Sequence, residues 1–141
     1  MLLSVNFAAW NFGGTMQKLS QLSRSIVGSV AIITGAASGM GRATAHLFAD
    51  EGARLGILDI NGEGLETVAG EIRAIGGEVL ALTVDLASRD AVEQAVLEIA
   101  AHFGGIDILI NNAGLVIPTA VDADNFAVAW DTSMAVMVSA Q

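Results

Sequence analysis

Short apolar runs alternate with helical patterns along most of the chain, and no hairpin turn separates any two of these runs. Four short apolar runs predict strands, at residues 29–34, 54–59, 78–85 and 106–111, and the first two suit strands that are buried on both faces. Strands that are joined by helices rather than by tight turns pair in parallel through right-handed crossovers. The order of the elements therefore predicts an α/β fold with a doubly wound parallel sheet.

Each helical segment carries apolar residues at spacings of three and four, which predicts one buried stripe per helix. Glycines follow the first three segments, and Ser88 is a candidate N-cap of the third. The predicted stripes are Met40, Ala43, Leu47 and Phe48 in the first helix; Leu65, Val68, Ala69, Ile72 and Ile75 in the second; Val92, Ala95, Val96, Ile99 and Phe103 in the third; and Phe126, Trp130, Met134, Met137 and Val138 in a last helix from about Asn125.

Residues 1–25 differ from this pattern. An apolar opening is followed by Gly13–Gly14 and then by a polar stretch with Lys18 and Arg24. A signal peptide has its basic residues before the apolar run, and here they come after it. We therefore expect a disordered or loosely packed extension without chemistry, with Met16 as an alternative start, and one domain over residues 26–141.

Composition excludes several kinds of site. The chain has no Cys, which rules out thiolate-bound metals and a thiol nucleophile, and its two His are too few for a His-built metal site. Fifteen acidic residues against six basic ones give a net charge of −9, which argues against binding nucleic acid or an anionic membrane. No segment reads as a membrane span or a targeting signal, so a cytoplasmic location is the default expectation.

A glycine-rich turn joins the first strand to the first helix, where residues 34–41 read Thr-Gly-Ala-Ala-Ser-Gly-Met-Gly. Such a turn leaves backbone amides free at a helix N-terminus, where the helix dipole also favours an anion. Glycine lets the chain turn sharply and approach a ligand closely. We therefore predict that Gly35, Ser38, Gly39, Met40 and Gly41 hold a pyrophosphate. The alternative is an ordinary tight strand-to-helix loop.

The glycine spacing G-x-x-x-G-x-G after a buried strand, together with Asn111-Asn112-Ala113-Gly114 after the fourth strand, resembles the short-chain dehydrogenase/reductase family. The resemblance runs from about residue 25 to the end of the chain. It implies the cofactor-binding N-terminal half of a Rossmann-like domain, truncated after about four strands. It also implies an NAD(P)-dependent oxidoreductase that transfers hydride between the cofactor and an alcohol or a carbonyl.

Asp59 ends the second strand, at the position where an acidic side chain accepts hydrogen bonds from the adenosine ribose and repels a 2′-phosphate. The implied cofactor is NAD, with NADP disfavoured, and Ile60 is assigned to the same site. Ser38 agrees, because family members that prefer NADP often carry a basic residue there. Arg42 would weaken this interpretation if its side chain turned towards the ribose. The alternative for Asp59 is a solvated acid at a strand end.

The third and fourth strands end in further candidate residues. In the family, the pair that corresponds to Asp85–Leu86 lies along the adenine ring. The segment that corresponds to Asn112, Ala113 and Gly114 packs beside the cofactor, where its Asn residues hold the central strands together. Taken alone, an acid at a strand end or an Asn-Gly turn is weak support.

The family's catalytic Ser, Tyr and Lys belong to a region after a fifth strand. This chain contains no Tyr, and Ser139 precedes any fifth strand. No catalytic residue is assigned, so the chain alone is expected to be inactive on an alcohol or carbonyl substrate. Two alternatives are a non-catalytic dinucleotide-binding or interaction module that associates with a full-length partner, and a fragment that does not fold.

The last helix departs from the family pattern, because Met137 stands where members usually have an Asn that bends the helix and holds a water. Met cannot donate such a hydrogen bond, although it can fill an apolar face. The apolar stripe continues to the end of the chain without a helix stop signal. We therefore expect a truncated chain whose last helix is a possible surface for homo-oligomer formation.

Overall fold

The structure is a computed structural model that describes residues 25–139, so the predicted extension at 1–25 lies almost entirely outside the described residues. The elements occur in the predicted alternating order. They are β1 (Val30–Thr34), α1 (Gly39–Asp50), β2 (Arg54–Asp59), α2 (Gly62–Ala74), β3 (Val79–Thr83), α3 (Arg89–Phe103), β4 (Ile108–Ile110) and α4 (Phe126–Met134), which continues as a π-helical turn over Ala135–Ser139.

The four strands form one parallel sheet in the order β3-β2-β1-β4. The first crossovers run from β1 outward to β3, and the chain then returns across the sheet to place β4 on the other side of β1. In sheets of this kind, ligands bind at the carboxyl ends of the strands where the direction of winding reverses. That point lies between β1 and β4. The predicted α/β fold with a doubly wound parallel sheet is therefore confirmed.

The helices cover both faces of the sheet. Buried residues of α1 and α2 pack with Ala31, Ile33, Leu55 and Ile57 on one face. On the other face, Ala95 and Ile99 of α3 pack against Val30, Ile32 and Leu58. All five residues of β1 are buried, as expected for a central strand with helices on both sides.

The predicted stripe of α1 is wrong at three of its four positions, because Met40, Ala43 and Leu47 are exposed and Phe48 alone packs against the core. Met40 is 79% exposed and Leu47 is 57% exposed, whereas the buried residues of this helix are Gly41, Ala45 and Ala49. These positions are four residues apart and form one small-residue face. The backbone of α1 lies too close to β1 at its start for a large side chain to fit between them. A periodicity search that favours large apolar residues therefore selects the wrong face.

β4 is shorter than the predicted strand at 106–111, and it is only partly buried. It pairs with β1 through Ile108, Leu109 and Ile110, and the middle residue is 54% exposed. Its entrance is fixed by Asp107, whose Oδ2 accepts a hydrogen bond from the amide of Val30 at 2.8 Å while its own amide donates to the carbonyl of Val30 at 2.9 Å. The two hydrogen bonds of Asp107 at the start of β4 therefore supplement the few that pair β4 with β1.

α4 packs loosely compared with the other helices. Ala129 is the one buried residue within its span and Trp130 is 56% exposed, so much of the apolar stripe of this helix is uncovered in the described chain. Phe126 and Trp130 stack on each other, with ring centroids 6.2 Å apart. Within residues 25–139, none of the helices combines the length and the apolar character that crossing a membrane requires.

Candidate functional site

The glycine-rich turn leaves the carboxyl end of β1 and is fixed to the neighbouring strand. Gly35 adopts a φ of +69°, and the amides of Gly35 and Ala36 both donate to the carbonyl of Leu58, at 2.8 and 3.2 Å. A positive φ at this point is readily adopted by glycine. The turn therefore reverses away from β1 while two hydrogen bonds hold it against the end of β2.

The three glycines of the turn serve different purposes. A Cβ on Gly41 would lie 2.1 Å from the carbonyl oxygen of Gly35, and one on Gly35 would lie 2.8 Å from the Cα of Ala113. Both positions therefore have no room for a side chain. Gly39 has a φ of +54°, and its Cβ position meets nothing within 4 Å. Gly39 thus faces open space, whereas Gly35 and Gly41 allow the backbone of the turn to pack closely against its neighbours.

The N-terminus of α1 has no side-chain cap. Ser38 occupies the N-cap position, but its side chain makes no capping hydrogen bond. By contrast, Asn61 accepts from the amide of Gly64 at the start of α2, and Ser88 accepts from the amide of Ala91 at the start of α3, which confirms the predicted N-cap of the third helix. The first amides of a helix lack intrahelical acceptors. The start of α1 can therefore accept an anionic group above Gly39.

Asp59 links the end of β2 to this turn. Its Oδ2 accepts a hydrogen bond from the amide of Ala37, and its Oδ1 accepts one from the amide of Asn61, both at 2.9 Å. The side chain is half-buried, and each carboxylate oxygen can accept a further hydrogen bond. Ile60 follows it and is 68% exposed. The carboxylate is therefore held at a fixed place beside the turn with acceptor capacity to spare.

Asn112 joins the segment after β4 to the end of β1. Its Nδ2 donates to the carbonyl of Thr34 at 2.9 Å and makes a longer contact of 3.4 Å to the carbonyl of Gly35. Ala113 is the residue that closely approaches Gly35. The structure therefore places Asn112 and Ala113 directly against the turn. Gly114 is exposed, and a Cβ there would meet nothing within 4 Å.

Thr34 is a structural contributor that is absent from the set of site residues predicted from the sequence. Its buried Oγ1 accepts hydrogen bonds from the amides of Asn112 and Ala113, both at 3.0 Å, and donates to the carbonyl of Ile110 at 3.4 Å. One hydroxyl thus fixes the first residues of the segment after β4. The available signal was a polar residue that ends an otherwise apolar buried strand, immediately before the first glycine.

Asp85 and Leu86 follow β3 at the same edge of the sheet. The amide of Val84 donates to the carbonyl of Asp59 at 2.9 Å, which ties this segment to the end of β2. Asp85 is exposed, and its Oδ1 accepts from the amide of Ala87 at 2.9 Å, while Leu86 packs against the core on the α3 face. These two residues lie at the shared edge, but their recorded contacts are with their own segment rather than with the turn.

One carboxylate of α2 contacts two side chains of α1 near the site. Arg42 and His46 of α1 both pair with Glu71 of α2, at 2.5 and 2.9 Å. Within the described residues, no group of three or more His, Asp or Glu side chains is arranged to hold a metal ion. The chemistry available at this edge is therefore anion binding by backbone amides and hydroxyl binding by the carboxylate of Asp59.

Comparisons with known proteins give a consistent result. The family model for short chain dehydrogenases matches residues 29–141. The chain is 38% identical to D-threitol dehydrogenase of Mycolicibacterium smegmatis over 113 residues, which are 79% of this chain and 43% of that protein. It is 39% identical to estradiol 17-beta-dehydrogenase 11 of Rattus norvegicus over 93 residues, which are 66% of this chain and 31% of that protein.

Comparisons with solved structures point to the same family. A metagenomic short-chain oxidoreductase in complex with NADP superimposes with a TM-score of 0.76 at 35% identity, covering 82% of this chain and 52% of that one. A Serratia marcescens short-chain dehydrogenase/reductase mutant gives a TM-score of 0.77 at 33% identity, with 82% and 47% covered. The chain spans less than half the length of the curated relatives described above. By sequence and by fold, the chain belongs to the short-chain dehydrogenase/reductase family.

Proposed function

We propose that this chain binds NAD as the cofactor-binding part of an oxidoreductase that interconverts an alcohol and a carbonyl. The observation that carries the proposal is the uncapped start of α1 above Gly39, with the carboxylate of Asp59 hydrogen-bonded to the same turn. An anion-binding helix end beside a fixed acceptor for hydroxyl groups is the combination that a nucleotide diphosphate requires.

Each predicted residue has a role in this proposal. The backbone from Gly35 to Gly41, with Ser38 and Met40 between the glycines, would hold the pyrophosphate. Asp59 and Ile60 would contact the adenosine ribose. Asp85 and Leu86 would flank the adenine, and Asn112, Ala113 and Gly114 would border the cofactor on the β4 side. When bound, the nicotinamide ring supplies the hydride acceptor or donor, and the residues above serve to bind and orient it.

Three observations support NAD in preference to NADP. The carboxylate of Asp59 stands beside the turn, where a negative charge would oppose a 2′-phosphate. Ser38 supplies no positive charge, and Arg42 is paired with Glu71. The NADP bound to the metagenomic relative belongs to that protein. The preference of this chain for NAD over NADP therefore has to be measured directly.

The reaction itself needs groups that these 141 residues do not contain. The family's general acid and base is a Tyr, and the sequence has none. No residue here is therefore assigned to proton transfer. We propose dinucleotide binding for the chain itself and hydride transfer for the complete oxidoreductase.

Calorimetric titration with NAD and NADP, each in a separate experiment, tests the proposal. Folding of each sample is first checked by a cooperative thermal melt. We expect NAD to bind and NADP to bind about tenfold more weakly, as placing a phosphate against a carboxylate costs about 1.4 kcal/mol. A folded sample that binds neither dinucleotide, or that prefers NADP, contradicts the proposal.

A further inference from the structure

We propose that Glu71 is a positioning residue for cofactor choice, because it holds the Arg42 guanidinium away from the adenosine ribose. This inference rests on the proposed function and adds a second determinant to it. Asp59 acts by repelling a phosphate, whereas Glu71 acts by withholding a positive charge that would attract one.

The position of Arg42 makes the restraint necessary. Its amide donates to the carbonyl of Ser38 at 3.1 Å, so the two residues lie one turn apart on the same face of α1. Side chains of a helix are inclined towards its N-terminus. An unrestrained Arg42 would therefore extend back towards Ser38, which directly follows Ala37, the residue whose amide donates to Asp59 at the proposed ribose subsite.

The contacts of Arg42 hold its guanidinium against α2 instead. Its guanidinium Nη2 donates to Oε1 of Glu71 at 2.5 Å, and the other carboxylate oxygen contacts Nε2 of His46 at 2.9 Å. Glu71 thus uses both oxygens on two side chains of α1, one turn apart. His46 fixes the orientation of the carboxylate, and the carboxylate fixes Arg42. All three side chains are roughly one-third to one-half exposed, at 44% for Arg42, 35% for Glu71 and 32% for His46.

The other arginines of the described residues have different surroundings. Arg54 donates to the carbonyls of Gly28 and Phe103, at the amino ends of the strands, and Arg73 pairs with Glu66. Arg89 begins α3. Arg42 is therefore the arginine that α1 itself carries, immediately after the glycine-rich turn. Its orientation decides whether this end of the helix presents a guanidinium to a 2′-phosphate.

The test compares the affinities of NAD and NADP for the 141-residue chain and for Glu71→Gln, by calorimetry. An exposed ion pair restrains its partners by a factor of about two to five, so we expect the variant to bind NADP about two- to fivefold more tightly. Affinity for NAD should stay within about twofold, because a ribose without a phosphate gains little from a guanidinium.

Glu66→Gln is the matched control. It removes the same charge from the same helix and breaks the Glu66–Arg73 pair, but it leaves Arg42 in place. We expect it to leave the ratio of the two affinities unchanged. An equal gain in NADP affinity in this control would show a general charge effect and would overturn the inference.

The double variant Arg42→Gln/Glu71→Gln separates the restraint from the charge of Glu71. If Arg42 is the group released, the double variant loses the gain in NADP affinity that Glu71→Gln shows. If it keeps that gain, or if Glu71→Gln shows none while the parent chain binds NAD, the inference is overturned and the proposed function stands. If the folded parent chain binds neither dinucleotide, both are overturned.

Discussion

At the scale of single residues, the site depends on atoms that are absent as much as on those present. The carbonyl oxygen of Gly35 lies against Gly41, and a Cβ on Gly41 would be only 2.1 Å from that oxygen. Gly70 offers the opposite case, since it lies in α2 and a Cβ there would meet nothing within 4 Å. The two glycines therefore allow the same mutation to be compared in closed and open surroundings.

We expect Gly41→Ala to lower the free energy of unfolding by about 1–3 kcal/mol, because the backbone must shift to admit the methyl group. We expect Gly70→Ala to raise it by about 0.5–1 kcal/mol, because alanine is the better helix former in an exposed helix interior. Urea unfolding of both variants checks the pair. Equal effects of the two substitutions would show that the contact at Gly41 is not tight.

Asp59→Asn tests the acceptor beside the turn. The asparagine side chain keeps one acceptor oxygen but loses the charge, and hydrogen bonds to a charged acceptor are worth about 1.5–3 kcal/mol. We therefore expect NAD to bind about tenfold more weakly and the disadvantage of NADP to shrink. Calorimetry with both dinucleotides measures this. An unchanged ratio of affinities would remove Asp59 from the ribose subsite.

Thr34→Val tests the hydroxyl that organises the segment after β4. Valine keeps the shape of the side chain but leaves the amides of Asn112 and Ala113 without their acceptor. We expect a loss of about 1–3 kcal/mol in the free energy of unfolding. Thr34→Ser retains the hydroxyl and should lose less. Urea unfolding of both variants distinguishes the hydrogen bonds from the packing, since equal losses would assign the effect to packing.

At the scale of elements, the sequence predicts the type and order of each strand and helix, because buried β-branched runs and helical stripes are strong local signals. The faces of α2 and α3 were predicted correctly for most positions, since large aliphatic side chains mark them; Ile75, at the end of the α2 stripe, is instead 59% exposed. The face of α1 was not, because close approach to the turn requires a glycine at position 41, and the buried residues that follow it on the same face, Ala45 and Ala49, are also small. Small residues carry little hydrophobic signal, so local pattern alone could not identify this face.

The same limit applies to β4 and to the site. The exposure of Leu109 depends on what lies beside the strand, and its apolar sequence carries no information on that neighbour. The sequence places Asp59 and the glycines at the same edge of the sheet because Asp59 ends one predicted parallel strand and the glycines follow another. The contacts of Arg42 with Glu71 join residues that are 29 apart in sequence, and no local pattern indicates such a pair.

The face of α1 can be tested with two substitutions on one helix. Ala45 is fully buried, whereas Ala43, which the periodicity placed in the stripe, is exposed. We expect Ala45→Leu to cost about 1–3 kcal/mol of unfolding free energy through overpacking, and Ala43→Leu to stay within about 0.5 kcal/mol. Thermal or urea melts give the comparison. A reversed order would restore the original assignment of the faces.

At the scale of the whole molecule, the candidate site exists only when the sheet is assembled. The turn belongs to β1, Asp59 to β2, Asp85 to the segment after β3 and Asn112 to the segment after β4. A ligand that binds this set has no corresponding site in the unfolded chain. Binding must therefore stabilise the folded chain as a whole.

We expect NAD at a free concentration one hundred times its Kd to raise the free energy of unfolding by about 2.7 kcal/mol. NADP at the same concentration should give a smaller increase, in line with its weaker affinity. Thermal melts at several ligand concentrations measure the effect. Calorimetric binding without any rise in the melting temperature would mean that the unfolded chain binds the ligand as well, so that binding does not require the assembled sheet.

The hydrogen bonds at the two ends of β4 affect how long the site stays assembled. Asp107 holds one end of this three-residue strand to Val30, and Thr34 with Asn112 holds the other end. A short edge strand opens more readily than the strands beside it. Separation of β4 from β1 would release Asn112 and Ala113 from the turn in the same event. Hydrogen exchange should therefore give the same opening free energy for the amides of Val30, Asn112 and Ala113, once each rate is corrected for the intrinsic exchange rate of its amide, and that free energy measures how easily the site comes apart.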